Sequence, residues 1–304
     1  MQHETSASRP PPSPYRVDRA YGLADAERYC AALARSHYEN FLVATVFVPR
    51  ALRQHFYNVY AYCRIADDLG DESGGADRAL PLLDWWEEEL RACYAGAPRH
   101  PVFVALARTN ERYAIPQQPY ADLLSAFRQD QTTPRYGTYA QLLDYCARSA
   151  NPVGRLVLYL CGYRDAERQS LSDATCTALQ LANFWQDVAR DHAIGRVYLP
   201  VEDMERFGVT EATIAARHCT PSFADLVRFE CERTAGLFAQ GAALGEIVDR
   251  RLRLDIAMFG AGGMEVLARI RRQGYDVLSR RPVVPRRRQL ALLAGRLVRG
   301  WMRR

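Results

Sequence analysis

Two stretches of the chain, Asp67-Asp68-Leu69-Gly70-Asp71 and Asp187-Val188-Ala189-Arg190-Asp191, each place aspartates at i and i+4 within a segment that otherwise reads as helix. On a helix such carboxylates stand one turn apart on one face and can reach the same ion. Two such pairs facing each other across a helical bundle would make an oxygen-rich site for Mg2+ ions carrying a diphosphate. A single pair at this spacing is also what a solvated helix face produces, so the neighbours have to decide. Upstream of the first pair, Tyr57, Tyr60 and Arg64 share an arc of roughly 80° with Asp67 and Asp71. Phe56, Val59, Ala61, Ile65, Ala66 and Leu69 cover the rest of that helix. The second stretch repeats the design, with Gln180, Asn183, Asp187 and Asp191 on one arc of about 80°, flanked by Leu179, Leu181, Ala182, Phe184, Trp185 and Val188. A surface helix normally carries an apolar stripe on a polar body, and here the order is reversed. Polar groups lining a buried cleft explain the reversal, because charge buried without a partner is costly.

Breaking a carbon–diphosphate bond leaves a large negative charge on the departing group. Carboxylate-held Mg2+ and bidentate arginine contacts stabilise that charge. Arg64 shares the face of the first pair, and Arg196 and Tyr198 follow the second closely enough to close over the phosphates. Without a cation the aspartates would repel a diphosphate, so Mg2+ is required by this reading. The carbocation left behind needs a dry cavity with aromatic walls and few nucleophiles. Phe41, Tyr57, Tyr60, Tyr145 and Phe184 are the candidates for those walls, and Phe41 and Tyr145 are favoured because each sits beside other motif residues.

These residues must be positioned by helices. From about Asp25 to Arg281 the apolar residues recur every three or four positions, with no sustained alternation of period two. The pattern predicts helices near 25–36, 50–72, 77–95, 100–113, 117–130, 137–163, 166–192, 221–248 and 251–280, and a loop with at most one short helix over 193–220. One all-α domain over 21–285 is the simplest account, with a flexible proline-rich tail over 1–20 and a separate basic segment over 286–304.

Composition narrows the chemistry further. Hydrophobic content of 48% and charged content of 25% are those of an ordinary globular protein. No apolar run reaches the roughly 18 residues of a membrane span, and the polar first 20 residues lack the apolar core of a secretory signal. The eight cysteines include no C-x-x-C pair and read as reduced core thiols. His37 and His55 read as polar helix residues and not as metal ligands. All 40 basic residues are arginine, and the lack of lysine excludes Schiff-base catalysis, pyridoxal phosphate attachment and a Walker A loop. A net charge of +5 does not by itself imply nucleic acid.

In the last segment Leu290, Leu293, Leu297 and Trp301 share one face, with arginines on the other side and at both ends. A basic amphipathic helix with a tryptophan fits peripheral docking on an anionic membrane surface, here the inner face of the cell membrane of a cytoplasmic protein. A helix packed on the domain, or a frayed basic tail, are the alternatives.

Tyr60-Ala-Tyr-Cys-Arg64-Ile-Ala-Asp67-Asp-Leu-Gly-Asp71-Glu72 and Gln180-Leu-Ala-Asn183-Phe-Trp-Gln-Asp187-Val-Ala-Arg-Asp191, followed by Gly195-Arg-Val-Tyr198-Leu-Pro200, resemble the signatures of the squalene and phytoene synthase family over roughly residues 30–280. The resemblance implies an all-α, single-domain isoprenoid synthase-type helical bundle with a central cavity and Mg2+-dependent chemistry on prenyl diphosphates. By position, Asp67, Asp71, Asn183, Asp187 and Asp191 would bind metal, and Arg64 would join them at the diphosphate. Phe41, Tyr145 and Gln180 would lie in the cavity, with Tyr60, Arg196 and Tyr198 also at the substrate and Tyr145 taking part in catalysis.

Within the family, His37-Tyr-Glu-Asn-Phe41, Asn151-Pro-Val-Gly154, Asn183-Phe-Trp-Gln-Asp187 and Phe259-Gly-Ala-Gly-Gly263 are most similar to the hydroxysqualene synthase branch found with hopanoid biosynthesis. That implies ionisation of presqualene diphosphate, rearrangement of the cyclopropylcarbinyl cation and capture by water. Sister enzymes of the squalene pathway are then the expected partners. Gln186 stands where an arginine is common, Arg190 where an acidic residue often precedes the last aspartate, and Gly263 where dehydrosqualene-type members carry tyrosine. Fewer charge contacts near the second motif fit one bulky diphosphate better than two prenyl diphosphates at once. The polar Asn151, or space opened at Gly263, would admit the quenching water. No nicotinamide fingerprint is visible, and water capture needs no nicotinamide cofactor.

The nearest rival is head-to-head condensation of two farnesyl diphosphates to presqualene diphosphate or squalene. A non-catalytic assembly protein of the same fold would tend to lose the acidic pairs, which are intact here. A nucleic-acid binder is disfavoured because the basic cluster sits among leucines and a tryptophan.

Overall fold

The computed structural model describes Tyr15, Val17, residues 19–36 and residues 49–285. Phe41 with the His37–Phe41 stretch, most of the 1–20 tail and the basic segment 286–304 lie outside the described residues. Among the described residues the chain is helical without strands, its one isolated bridge joining Arg135 to Val197. Two compact units divide it, the first ending at Thr132 and the second continuing from Thr133.

The first unit holds α1 (Leu23–Ser36), α2 (Arg50–Asp71), α3 (Ala76–Tyr94), α4 (Pro101–Tyr113) and α5 (Gln118–Asp130). Helix α2 packs against all four others. It can do so because Phe56, Val59, Ala61, Tyr62, Ile65, Ala66 and Leu69 bury almost its whole circumference. Tyr62 anchors the packing: its ring lies 4.8 Å from Tyr120 and 5.8 Å from Phe103, and its hydroxyl donates to the Tyr120 carbonyl at 2.8 Å. A buried phenol needs such a partner. The helix stops where Gly74 and Gly75 take φ of 81° and 124°, a region that residues with a Cβ rarely enter.

The second unit holds α6 (Tyr139–Ser149), α7 (Asn151–Leu160), α8 (Ala166–Ala193), α9 (Val201–Arg206), α10 (Glu211–Ala215), α11 (Pro221–Ala242), a 3-10 turn (Ala243–Glu246) and α12 (Arg250–Arg272). Helix α8 is the hub, packed by α6, α7, α10, α11 and α12. Two glycines let neighbours come close: a Cβ at Gly154 of α7 would overlap Ser172 and Cys176, and one at Gly241 of α11 would overlap Thr175. Trp185 is fully buried and donates its indole N–H to Thr234 Oγ1 at 2.8 Å, tying α8 to α11. The start of α8 is capped by Asp165, which accepts from the Arg168 N–H at 3.0 Å.

Three of the expected helices are shorter or broken. The segment expected as one helix over 137–163 is two, divided at Ala150, because Pro152 has no N–H to donate back to Arg148 and its ring crowds that carbonyl. The helix expected to 248 ends at Ala242 and tightens into the 3-10 turn. The one expected to 280 ends at Arg272, where Gly274 and Tyr275 both take φ of 64°. The 193–220 segment carries two short helices, α9 and α10, where at most one was expected.

Candidate active site

The polar stripe of α2 is its accessible side. Tyr57, Tyr60, Arg64 and Asp67 are half-buried and Asp71 is exposed, while the apolar residues between them are closed off. Arg64 organises the stripe, pairing with Asp67 at 3.4 Å, with Glu72 at 3.0 Å and with Asp68. Asp68 was not among the expected site residues, yet it is the buried member of the group, 4% exposed, and also accepts from the Tyr15 hydroxyl. Its position one turn after Arg64, on the flank of the stripe, was the available signal. Burial, and next the Asp71 charge, push the Asp67 carboxyl up to about 6 against the pull of Arg64.

The stripe of α8 has the same character. Gln180, Asp187 and Asp191 are half-buried and Asn183 is exposed, beside buried Leu181, Ala182, Phe184, Trp185 and Val188. Burial, followed by the Asp187 charge one turn away, pushes Asp191 up to about 7, opposed by Arg190, Arg196 and Arg281. The helix is continued by a turn in which the Arg196 N–H donates to the Asp191 carbonyl at 2.8 Å, which holds Arg196 against the second pair. The loop beyond is pinned by Val197 N–H to the Pro134 carbonyl at 2.9 Å and Val201 N–H to the Tyr136 carbonyl at 2.9 Å.

That pinning assembles four rings. Tyr198 stacks on Phe184 with centroids 3.8 Å apart and planes 7° from parallel. Tyr145 lies 6.1 Å from Tyr198 and 6.2 Å from Phe184, and Tyr136 stands 5.4 Å from Tyr145. The structure therefore brings the expected residues Tyr145 and Tyr198 together on α8. It adds Tyr136, which no spacing in the sequence marked.

One expectation about water entry is corrected. Gly263 does not open a space: it is buried, and a Cβ there would overlap the Phe238 ring and meet Leu179 Cδ2 at 3.0 Å. Asn151 is buried at 6% exposure, and its side-chain oxygen accepts from Thr177 Oγ1 at 2.9 Å. Another residue that the spacing did not mark is Arg281, which forks onto Asp187 from the segment after α12.

The donor set of each stripe fits Mg2+. Its ligands are hard oxygens, and Mg2+ is usually held by one or two carboxylates with water and substrate phosphate completing the shell. Asp67 and Asp191 are each partly buried with a second aspartate one turn away, where a cation would offset the paired negative charge. Among the described residues no group of three or more His, Cys, Asp or Glu side chains converges into an all-protein cage.

A strand-free helical fold bearing oxygen-donor stripes on buried helices is that of the isoprenoid synthase class, and solved structures of that class superpose on this chain. A squalene synthase HpnC from Alicyclobacillus acidocaldarius matches with a TM-score of 0.80 at 48% identity, covering 83% of this chain and 95% of that one. A dehydrosqualene synthase in complex with ligand matches with a TM-score of 0.82 at 26% identity, covering 91% and 97%. Among curated relatives, a hydroxysqualene synthase of Rhodopseudomonas palustris is 33% identical over 80% of this chain and 82% of its own length. A phytoene synthase of Arthrospira platensis is 30% identical over 86% and 89%. The chain belongs to the squalene/phytoene synthase family, whose model matches residues 34–288. It is an enzyme of that type, acting in isoprenoid biosynthesis.

Proposed function

We propose that the enzyme ionises presqualene diphosphate and delivers hydroxysqualene and diphosphate, using Mg2+. The observation that carries this choice within the family is the 48% identity to squalene synthase HpnC, set beside 26% to the dehydrosqualene synthase. Asp67 and Asp71 on α2, and Asn183, Asp187 and Asp191 on α8, would hold the metal. When bound, Mg2+ would take up charge on the departing diphosphate.

The chain's own groups do the remainder. Arg64 and Arg196 offer guanidinium forks to phosphate oxygens. The C–O bond breaks with both electrons leaving on the diphosphate, and the cyclopropylcarbinyl cation rearranges. The faces of Tyr198, Phe184 and Tyr145 carry the negative quadrupole that favours a neighbouring cation. Tyr60 and Gln180 border the carboxylates on their stripes and would position the substrate. One water adds to the cation and loses a proton to the released diphosphate or solvent, so no reductant is consumed. With no space open at Gly263, that water would not enter there.

The test is to supply presqualene diphosphate and farnesyl diphosphate separately, with Mg2+ and without reductant, and identify products by mass. Hydroxysqualene from presqualene diphosphate alone is expected. Consumption of farnesyl diphosphate alone would replace this reading with head-to-head condensation.

No helix among the described residues is long and apolar enough to cross a membrane. We propose that the enzyme works at a membrane surface through residues 286–304, where its apolar substrate and product partition. Deleting that segment is expected to weaken binding to anionic liposomes while sparing activity in detergent; unchanged liposome binding would refute it.

A further inference from the structure

After α12 the chain does not trail away. Asp276 Oδ1 accepts from the Leu278 and Ser279 N–H groups at 3.2 and 2.9 Å, and Gln273 Nε2 donates to the Arg280 carbonyl at 3.0 Å. This folded turn delivers Arg281 and Pro282 to the side of α8 that bears the second aspartate pair. Arg281 forks onto Asp187, Nε to Oδ1 and Nη2 to Oδ2, the latter at 2.9 Å. Its Nη2 also donates to Gln186 Oε1 at 3.4 Å, and Gln186 Nε2 donates to the Pro282 carbonyl. Two adjacent residues of the strap are thus held by two adjacent residues of α8, and Pro282 is buried there.

Both oxygens of Asp187 are occupied by this fork. Each oxygen keeps a further lone pair, but a divalent cation placed on Asp187 meets the guanidinium charge at the same carboxylate, and the two compete for it. The fork offsets the charge of one of two aspartates that stand one turn apart.

We propose that Arg281 is a built-in counter-ion that competes with the divalent cation for Asp187, so that metal loading on α8 releases the 281–285 strap. This rests on the metal reading given above and deepens it. Binding free energy is spent on breaking the fork, which weakens metal affinity and couples the occupancy of α8 to the 281–285 strap. Gln186 makes the strap selective for this register, since an arginine at that position would repel Arg281.

The test uses the full chain and Mn2+ alone as probe, followed by the loss of the free-ion electron paramagnetic resonance signal. Arg281→Gln is expected to bind Mn2+ about ten-fold more tightly than the wild type, the scale of one charge-assisted pair. Arg281→Lys keeps a cation without the fork and should fall between them. Asp187→Asn should weaken binding in either background. Trypsin provides a second readout: with 40 arginines in the chain, cleavage of the Arg280–Arg281 bond is identified by fragment mass and reports on the strap. Mn2+ should speed that cleavage several-fold in the wild type. Equal or weaker Mn2+ binding by Arg281→Gln, with wild-type binding intact and sensitive to Asp187→Asn, would overturn the competition and leave the metal reading standing. Mn2+ binding that ignores Asp187→Asn would overturn both.

Discussion

Phe238 of α11 fills the volume that a side chain on Gly263 of α12 would need. A Cβ at Gly263 would overlap the tip of the Phe238 ring, and Leu179 on α8 closes the remaining side at 3.0 Å. A buried side chain added there without a matching deletion strains a packed interior. Gly263→Ala should therefore lower stability by about 1–3 kcal/mol, and Gly263→Tyr by more, measured by urea unfolding. Phe238→Ala should lose stability on its own but rescue part of the Gly263→Tyr loss. Additive losses in the double variant would show that the two residues do not share one space.

Asp67 and Asp68 are neighbours with different work. Asp68 is buried between Arg64 and the Tyr15 hydroxyl, whereas Asp71 is exposed. Asp68→Asn weakens two charge-assisted contacts at a buried position while Arg64 keeps Asp67 and Glu72, so it should cost about 1–3 kcal/mol. Asp71→Asn should stay within about 0.5 kcal/mol. Equal costs by chemical denaturation would mean that Asp68 has no structural role beyond that of the stripe.

Asp67→Asn and Asp187→Asn each remove a proposed metal ligand from a different unit. Either should reduce turnover at least about 100-fold, the scale of losing a principal charge-stabilising group. The far-ultraviolet circular dichroism should stay that of a helical protein, and EDTA should abolish activity reversibly. Near-normal activity in either variant would remove that residue from the metal site.

Glu230 on α11 is fully buried, and Arg233 donates to both of its oxygens at 2.6 and 2.7 Å while also reaching Asp203 at 2.7 Å. Arg233 lies 3.4 Å above the Tyr139 ring, which closes the cluster. Burial pushes the Glu230 carboxyl up to about 8; Arg233 opposes this and Asp203 adds to it. The folded chain thus holds this proton more tightly than the unfolded one. Its contribution is complete below the ordinary glutamate range and is lost as pH rises through about 8. The wild type should melt about 2 °C lower at pH 9 than at pH 7 in EDTA. Glu230→Gln should flatten that difference, and a slope unchanged by the variant would assign it elsewhere.

The amino-acid sequence by itself determined the helical class, the polar stripes of α2 and α8 and the family. These follow from periodicity and local spacing, which a helix converts directly into faces. Helix ends were legible where a cap or a glycine is local, as at Asp165 and Gly74. They were missed at Ala150 and Arg272, where apolar spacing runs on past the break. Which of two adjacent aspartates is buried, what fills the gap at Gly263, and which arginine reaches Asp187 were decided by tertiary structure alone. Each depends on a partner far along the chain — Tyr15 for Asp68, Phe238 for Gly263, Arg281 for Asp187 — and that partner is chosen by packing and charge neutralisation after the helices have met.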